Sequence, residues 1–104
     1  MWVDEKTKEK ARQVNLIQFL QEVHPDLIFQ RESGEYAFTK HKCITFFKGR
    51  DGVYRYCDHE KRNKGEWDYS GDGIAFLSNY VGGYNFTSAV SALLNFDKNQ
   101  SNHT

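Results

Sequence analysis

The stretch from Ser70 to Phe96, SGDGIAFLSNYVGGYNFTSAVSALLNF, sets the tightest limit on the fold. Its apolar spacing predicts two short helices separated by a glycine pair. Ile74, Leu77 and Val81 fall on one face of the first, which Ser70 or Asp72 can cap. Gly82 and Gly83 stop that helix, because glycine takes positive φ without strain. Asn85 can cap the second, whose apolar stripe is Phe86, Ala89, Val90, Leu93 and Leu94. Helices this short are marginal alone, so both need a surface to pack on.

The aromatic-rich segment upstream can supply that surface. Asp4 can cap a charged first helix that carries Leu16, Ile17, Leu20 and Val23 on its apolar face further on. His24-Pro25 ends it, since the residue before proline avoids the α region. Residues 27–30 and 35–39 alternate as strands around a Glu32-Ser33-Gly34 turn. Residues 43–47 and 53–58 predict a second hairpin around Gly49-Arg50-Asp51-Gly52. A polar loop, 59–65, and a short strand over 67–69 lead into the helical pair. The expected fold is α+β. A leading helix precedes a small antiparallel sheet of four or five strands, and two C-terminal helices pack on one face. Residues 1–96 form one module, and 97–104 is a polar, disordered tail.

With 104 residues, the chain can bury one modest core. Its 14 basic and 14 acidic residues balance, so net charge supplies no field for nucleic acid or membrane. Any such binding must rest on a local patch. Aromatics make up 15% although the mean hydropathy is −0.77, so large rings are spread among polar residues. No apolar run is long enough to span a bilayer and no signal-peptide core is present. Two cysteines are not a disulfide framework, and a reducing cytoplasmic location is the default expectation.

His41-Lys42-Cys43 and Cys57-Asp58-His59 stand symmetrically about the presumed turn. If Cys43 pairs with Cys57, His41 opposes His59 and all four side chains share one strand face, a Cys2His2 zinc set. The same register places Ile44 opposite Tyr56, Phe46 opposite Tyr54 and Lys42 opposite Asp58. Against zinc, structural ligands usually come from turns with two-residue spacing, and these sit one residue apart on extended chain. The favoured expectation is a metal-free, cofactor-free sheet with His41 hydrogen-bonded in the hairpin and two buried thiols.

Positive charge concentrates in the sheet half. Lys48, Arg50, Arg55, Lys61, Arg62 and Lys64 interleave with Phe47, Tyr54, Tyr56, Trp67 and Tyr69. Cations on phosphates and rings under bases are how single strands are gripped. The candidate nucleic-acid residues are therefore Arg55, Lys61, Arg62, Lys64 and Trp67, with Lys48 and Arg50. The plainer alternative is a solvated basic loop beside ordinary core aromatics, diluted by Asp51, Asp58, Glu60, Glu66 and Asp68.

No catalytic constellation is expected. Neighbours such as Asp58, His59 and Glu60 point to opposite strand faces, and nothing orients a base beside Cys57. The glycines at 71 and 73 lack the lysine of a phosphate loop and read as turn and cap residues.

Gly71-Asp72-Gly73-Ile74-Ala75-Phe76-Leu77, then a glycine turn, then Asn85-Phe86-Thr87-Ser88-Ala89-Val90, resembles the end of the zinc-binding domain of bacterial replicative (DnaG-type) primases. Leu16-Ile17-Gln18-Phe19-Leu20 is similar to that family's leading helix, and the strand from Tyr36 to its first strand. The resemblance covers residues 8–96. The family's metal pattern is Cys-x2-His and later Cys-x2-Cys. Here Phe38, Lys40 and Tyr56 stand where cysteines are expected, His41 at the histidine, and His59 near the last position. The closer resemblance is to zinc-less relatives found before Toprim domains in plasmid and mobile-element proteins, which keep a lone histidine.

The resemblance implies a non-enzymatic replication accessory of a phage or mobile element. Such a module would bind single-stranded DNA, a partner primase, polymerase or helicase, or both. The alternative is a protein–protein adaptor or inhibitor docking on a nucleic-acid enzyme, for example an anti-CRISPR-like blocker.

Overall fold

The computed structural model describes residues 3–101. Asp4 caps α1 (Glu5–Arg12) by accepting from the Thr7 amide at 2.7 Å. The expected single leading helix is in fact two. Asn15 accepts from the Gln18 amide at 2.9 Å and starts α2 (Leu16–Val23) afresh. A short amide side chain binds backbone donors better at a cap than inside a helix, so the chain breaks there. The break lets Ala11 and Val14 and then Leu16, Phe19 and Leu20 all reach the core.

A 3-10 turn at Pro25–Leu27 leads into a five-stranded antiparallel meander. Its strands are β1 (Ile28–Gln30), β2 (Tyr36–Phe38), β3 (His41–Lys48), β4 (Tyr54–Asp58) and β5 (Ser70–Asp72), in that spatial order. The β3–β4 register pairs Lys48 with Tyr54, Phe46 with Tyr56, Thr45 with Cys57 and Ile44 with Asp58. It differs by two residues from the Cys43–Cys57 pairing expected from sequence. The turn closes through Gly49 N–H donating to the Val53 carbonyl at 2.8 Å, with Gly52 at positive φ. A shift of two preserves side-chain alternation. Ile44, Phe46 and Tyr56 still face the core, whereas the cysteine and histidine pairs no longer meet.

Two segments between β4 and α4 (Gly73–Tyr80) also differ from expectation. The polar loop after β4 contains a short helix, α3 (His59–Asn63), capped by Asp58. The last strand is not residues 67–69 but Ser70–Asp72, which pairs with Arg55–Cys57. Gly71 lies opposite Tyr56, and a Cβ there would sit 3.0 Å from the Tyr56 ring and 3.1 Å from Ala75. The missing side chain lets that ring lie across the strand.

Asp72 caps α4, accepting from the Ala75 amide at 2.9 Å, and also accepts from Arg12 Nε of α1 at 3.0 Å. The helix ends at Tyr80, and it is Gly83 that takes positive φ. Asn85 and Ser88 cap α5 (Phe86–Ser101) reciprocally. That helix runs well past Phe96, because nothing in Asp97-Lys98 breaks it, so the expected tail begins as helix. The expected tail residues 102–104 lie outside the described residues. Phe86, placed in the apolar stripe by its spacing, is exposed at the first turn.

Helices α2 and α4 pack against the sheet face bearing Phe38, Ile44, Phe46 and Tyr56, and α1 and α5 pack on those two helices. Phe76 of α4 is the hub. It makes edge-to-face contacts with Phe38 and Phe46 at 5.1 and 4.8 Å and stacks on Tyr80 at 5.5 Å. His24 closes one end, its Nε2 2.8 Å from the Tyr84 hydroxyl.

Candidate functional site

The other sheet face carries Thr45 and Phe47 of β3, Arg55 and Cys57 of β4, and Ser70 of β5. No helix layer covers it. Only α3 and the following loop fold over one end. His59 of α3 places Nε2 2.9 Å from Thr45 Oγ1, and its Nδ1 lies 3.9 Å from Cys57 Sγ. Ser70 donates to the Tyr56 carbonyl at 2.7 Å, holding β5 at the margin.

These contacts enclose a depression of about 570 Å³. Thr45 and Cys57 form its floor, Phe47 and Tyr69 its apolar walls, and His59, Arg62 and Glu35 its polar side. Phe47 is 41% exposed, unusual for a phenylalanine in the middle of a sheet. The Arg62 guanidinium lies 5.9 Å from the Tyr69 ring centre, a cation over a ring. Burial pushes the Cys57 thiol up, with Arg62 opposing. That shift favours the neutral thiol at the floor.

The candidate cations fall into two groups. Arg55 at the β3–β4 turn holds Asp51 at 2.8 Å, Lys61 holds Asp68 at 3.1 Å and Lys64 holds Glu60 at 3.2 Å. These three are largely neutralised. Lys48 lies 5.8 Å from the Tyr54 ring centre, and Lys48, Arg50 and Arg62 have no carboxylate within 4.0 Å among the described residues. Trp67 stands 91% exposed on the loop before β5. It borders a second depression of about 740 Å³, with Lys61, Asp68 and Tyr80, on the far side of that loop. The structure thus brings Phe47, Arg62 and Tyr69 together and places Lys61 and Trp67 around the corner.

The Cys2His2 set expected from sequence is not assembled. Cys57 and His59 belong to the floor and side of the first depression. Cys43 is exposed, not buried, and lies with His41 and Glu60, whose ligand atoms are all within 4.8 Å of one another. The physical reason is the two-residue register difference together with a bulge. Ala37 pairs with Thr45 but the next residue, Phe38, pairs with His41, leaving Lys42, Cys43 and Ile44 without β2 partners. Arg31 Nη2 donates to the Lys42 carbonyl and so satisfies part of the bulge. Glu60 was not legible as a neighbour of His41. The signal that points to it is Asp58 followed by Glu60, a cap and first-turn acid at a helix start.

No family model matches the chain, and comparison with curated proteins and with solved structures gives no match. Among the described residues, no helix is long and apolar enough to cross a membrane.

Proposed function

We propose that this chain is a non-enzymatic accessory module of DNA replication in a phage, plasmid or other mobile element, and that its open sheet face binds single-stranded DNA. The observation that carries this reading is the uncovered depression, which both the exposed Phe47 ring and the Arg62 guanidinium line. A base stacks on such a ring, and a guanidinium without a carboxylate partner is free to meet a phosphate. Arg50, in the turn of the same hairpin, also has no carboxylate within 4.0 Å among the described residues, whereas Lys48 alternates with Phe47 onto the inner side, over Tyr54. The primase-like motifs in residues 8–96 support the same reading, with a primase, polymerase or helicase as the partner that uses the bound strand.

Fluorescence anisotropy of a labelled single-stranded oligonucleotide, at two salt concentrations, tests it. The expected result is binding that weakens with salt according to the few phosphates contacted. Phe47→Ala should remove about 1–3 kcal/mol, as for one stacked base. Arg62→Ala should lower affinity and flatten the salt dependence. No binding at low salt, or binding indifferent to both substitutions, rejects the proposal.

A second reading is favoured by Trp67. A tryptophan 91% exposed, in a depression shared with Lys61 and the Asp68 that already pairs with it, suits the centre of a protein interface better than a phosphate track. On that reading the module docks on a nucleic-acid enzyme, as adaptor or as an anti-CRISPR-like blocker. Trp67→Ala would then abolish a stoichiometric protein complex while naked single strands show no affinity.

A further inference from the structure

We infer that His41, Cys43 and Glu60 form a binding site for a divalent transition-metal ion, with zinc as the species their donors suit. The inference stands apart from the DNA reading, since these residues lie outside the ring-lined depression. A thiolate, an imidazole and a carboxylate are all zinc ligands, and the soft thiolate with the imidazole disfavours magnesium and calcium. Their ligand atoms lie within 4.8 Å of one another. Bonds of about 2.0–2.3 Å in a tetrahedron need ligand atoms roughly 3.3–3.8 Å apart. The remaining closure is about 1 Å, within reach of rotation because Cys43 and Glu60 are exposed.

The surroundings are arranged for it. The β3 bulge frees Cys43 from cross-strand pairing with β2 beside His41. His41 Nε2 already faces the carboxylates, 3.9 Å from Glu60 Oε2 and 3.9 Å from Asp58 Oδ2. Glu60 gives its other oxygen, Oε1, to Lys64, which leaves Oε2 for the ion. Asp58 is not a ligand in this scheme. Its Oδ1 caps α3 through the Glu60 and Lys61 amides at 3.1 and 3.2 Å, which fixes where Glu60 stands. Its buried charge adds to the attraction for a cation. Three protein ligands leave a fourth position to water or to a partner's side chain.

Cobalt(II) titration of the full chain under reducing conditions tests the site, because a cobalt–thiolate bond gives a charge-transfer absorption band. The expected result is a band saturating at one equivalent and erased by zinc. The band should be lost in Cys43→Ser and His41→Ala and weakened in Glu60→Gln, each checked for fold by circular dichroism. It should persist in Cys57→Ser and His59→Ala. Zinc should also shield Cys43 from alkylation in the unsubstituted chain. Absence of the band, its survival in Cys43→Ser, or its loss in Cys57→Ser overturns the inference.

Discussion

The two faces of the sheet are built on opposite principles. On the inner face, Phe38, Phe46 and Tyr56 meet Phe76 of α4 in a core that all four long helices share, and packing alone decides the geometry. On the outer face, Thr45 and Cys57 are also buried, at 6% and 7% exposure, but by contacts with one five-residue helix and a loop. The inner face is close-packed and intolerant of change. The outer face is held by caps and polar contacts, leaves a ring exposed, and keeps room for a guest. Stability should therefore reside on one side and binding on the other.

The largest expected effect compares two phenylalanines across that divide. Phe76→Ala should cost about 3–5 kcal/mol, as for a fully buried ring with many aromatic neighbours. Phe47→Ala should cost about 0.5–1 kcal/mol, because much of that ring already meets water. Urea denaturation measures both. A Phe47→Ala cost equal to that of Phe76→Ala would mean that the outer face is a second core, not a binding face.

Asp58 sharpens the comparison, since it belongs to both sides. Its side chain is 3% exposed, caps α3 on the outer side and accepts from the Tyr80 hydroxyl at 3.5 Å on the inner side. Asp58→Ala should cost about 1–3 kcal/mol, from a lost cap and buried donors left without a partner. Hydrogen exchange should localise the damage to α3 and β5 and spare α1 and α5. Uniform loss of protection would show that the outer helix is integral to the main core.

A third prediction uses pH on the inner face alone. Burial first, then neighbouring Tyr80, pushes the Tyr56 hydroxyl up to about 12, from an ordinary value near 10. A raised folded-state value means the unfolded chain releases this proton first. Stability from the neutral hydroxyl is thus complete below about pH 10 and declines as pH rises toward 12. Tyr56→Phe should flatten that alkaline decline in denaturation curves taken from pH 8 to 12. An unchanged slope would assign the loss to other groups.

What could be read from the sequence follows the range of the forces involved. Asp72 and Asn85 were legible as caps because a cap acts across three residues, and both hold those positions. The inner face was legible because Ile44, Phe46 and Tyr56 alternate whichever even register is chosen. The register itself was not, because Gly49-Arg50-Asp51-Gly52 closes a hairpin in more than one way, and only packing selects one. Helix α3 was hidden by its length, since five polar residues carry no periodicity, although its Asp58 cap was in view. The candidate cations were legible as charges but not as pairs. Lys61 finds Asp68 seven residues away through a turn that sequence spacing does not reveal. The apparent basic patch therefore shrinks, for the carboxylate-free cations, to Lys48, Arg50 and Arg62.

The smallest expected effect separates the two cysteines and reports on Arg62 directly. Cys43 is exposed and Cys57 is buried at the floor of the outer depression. Alkylation at neutral pH should modify Cys43 first, as resolved by peptide mass. Cys57 should follow slowly, with a rate–pH midpoint above that of an ordinary cysteine, because burial disfavours its thiolate. Arg62 opposes that shift, so Arg62→Gln should move the Cys57 midpoint further up. The same substitution also opens the depression and changes access, which scales the rate at every pH but does not move the midpoint. A midpoint that stays fixed in Arg62→Gln would place the guanidinium away from the sulfur. It would then no longer be a group that acts on the floor of the outer depression.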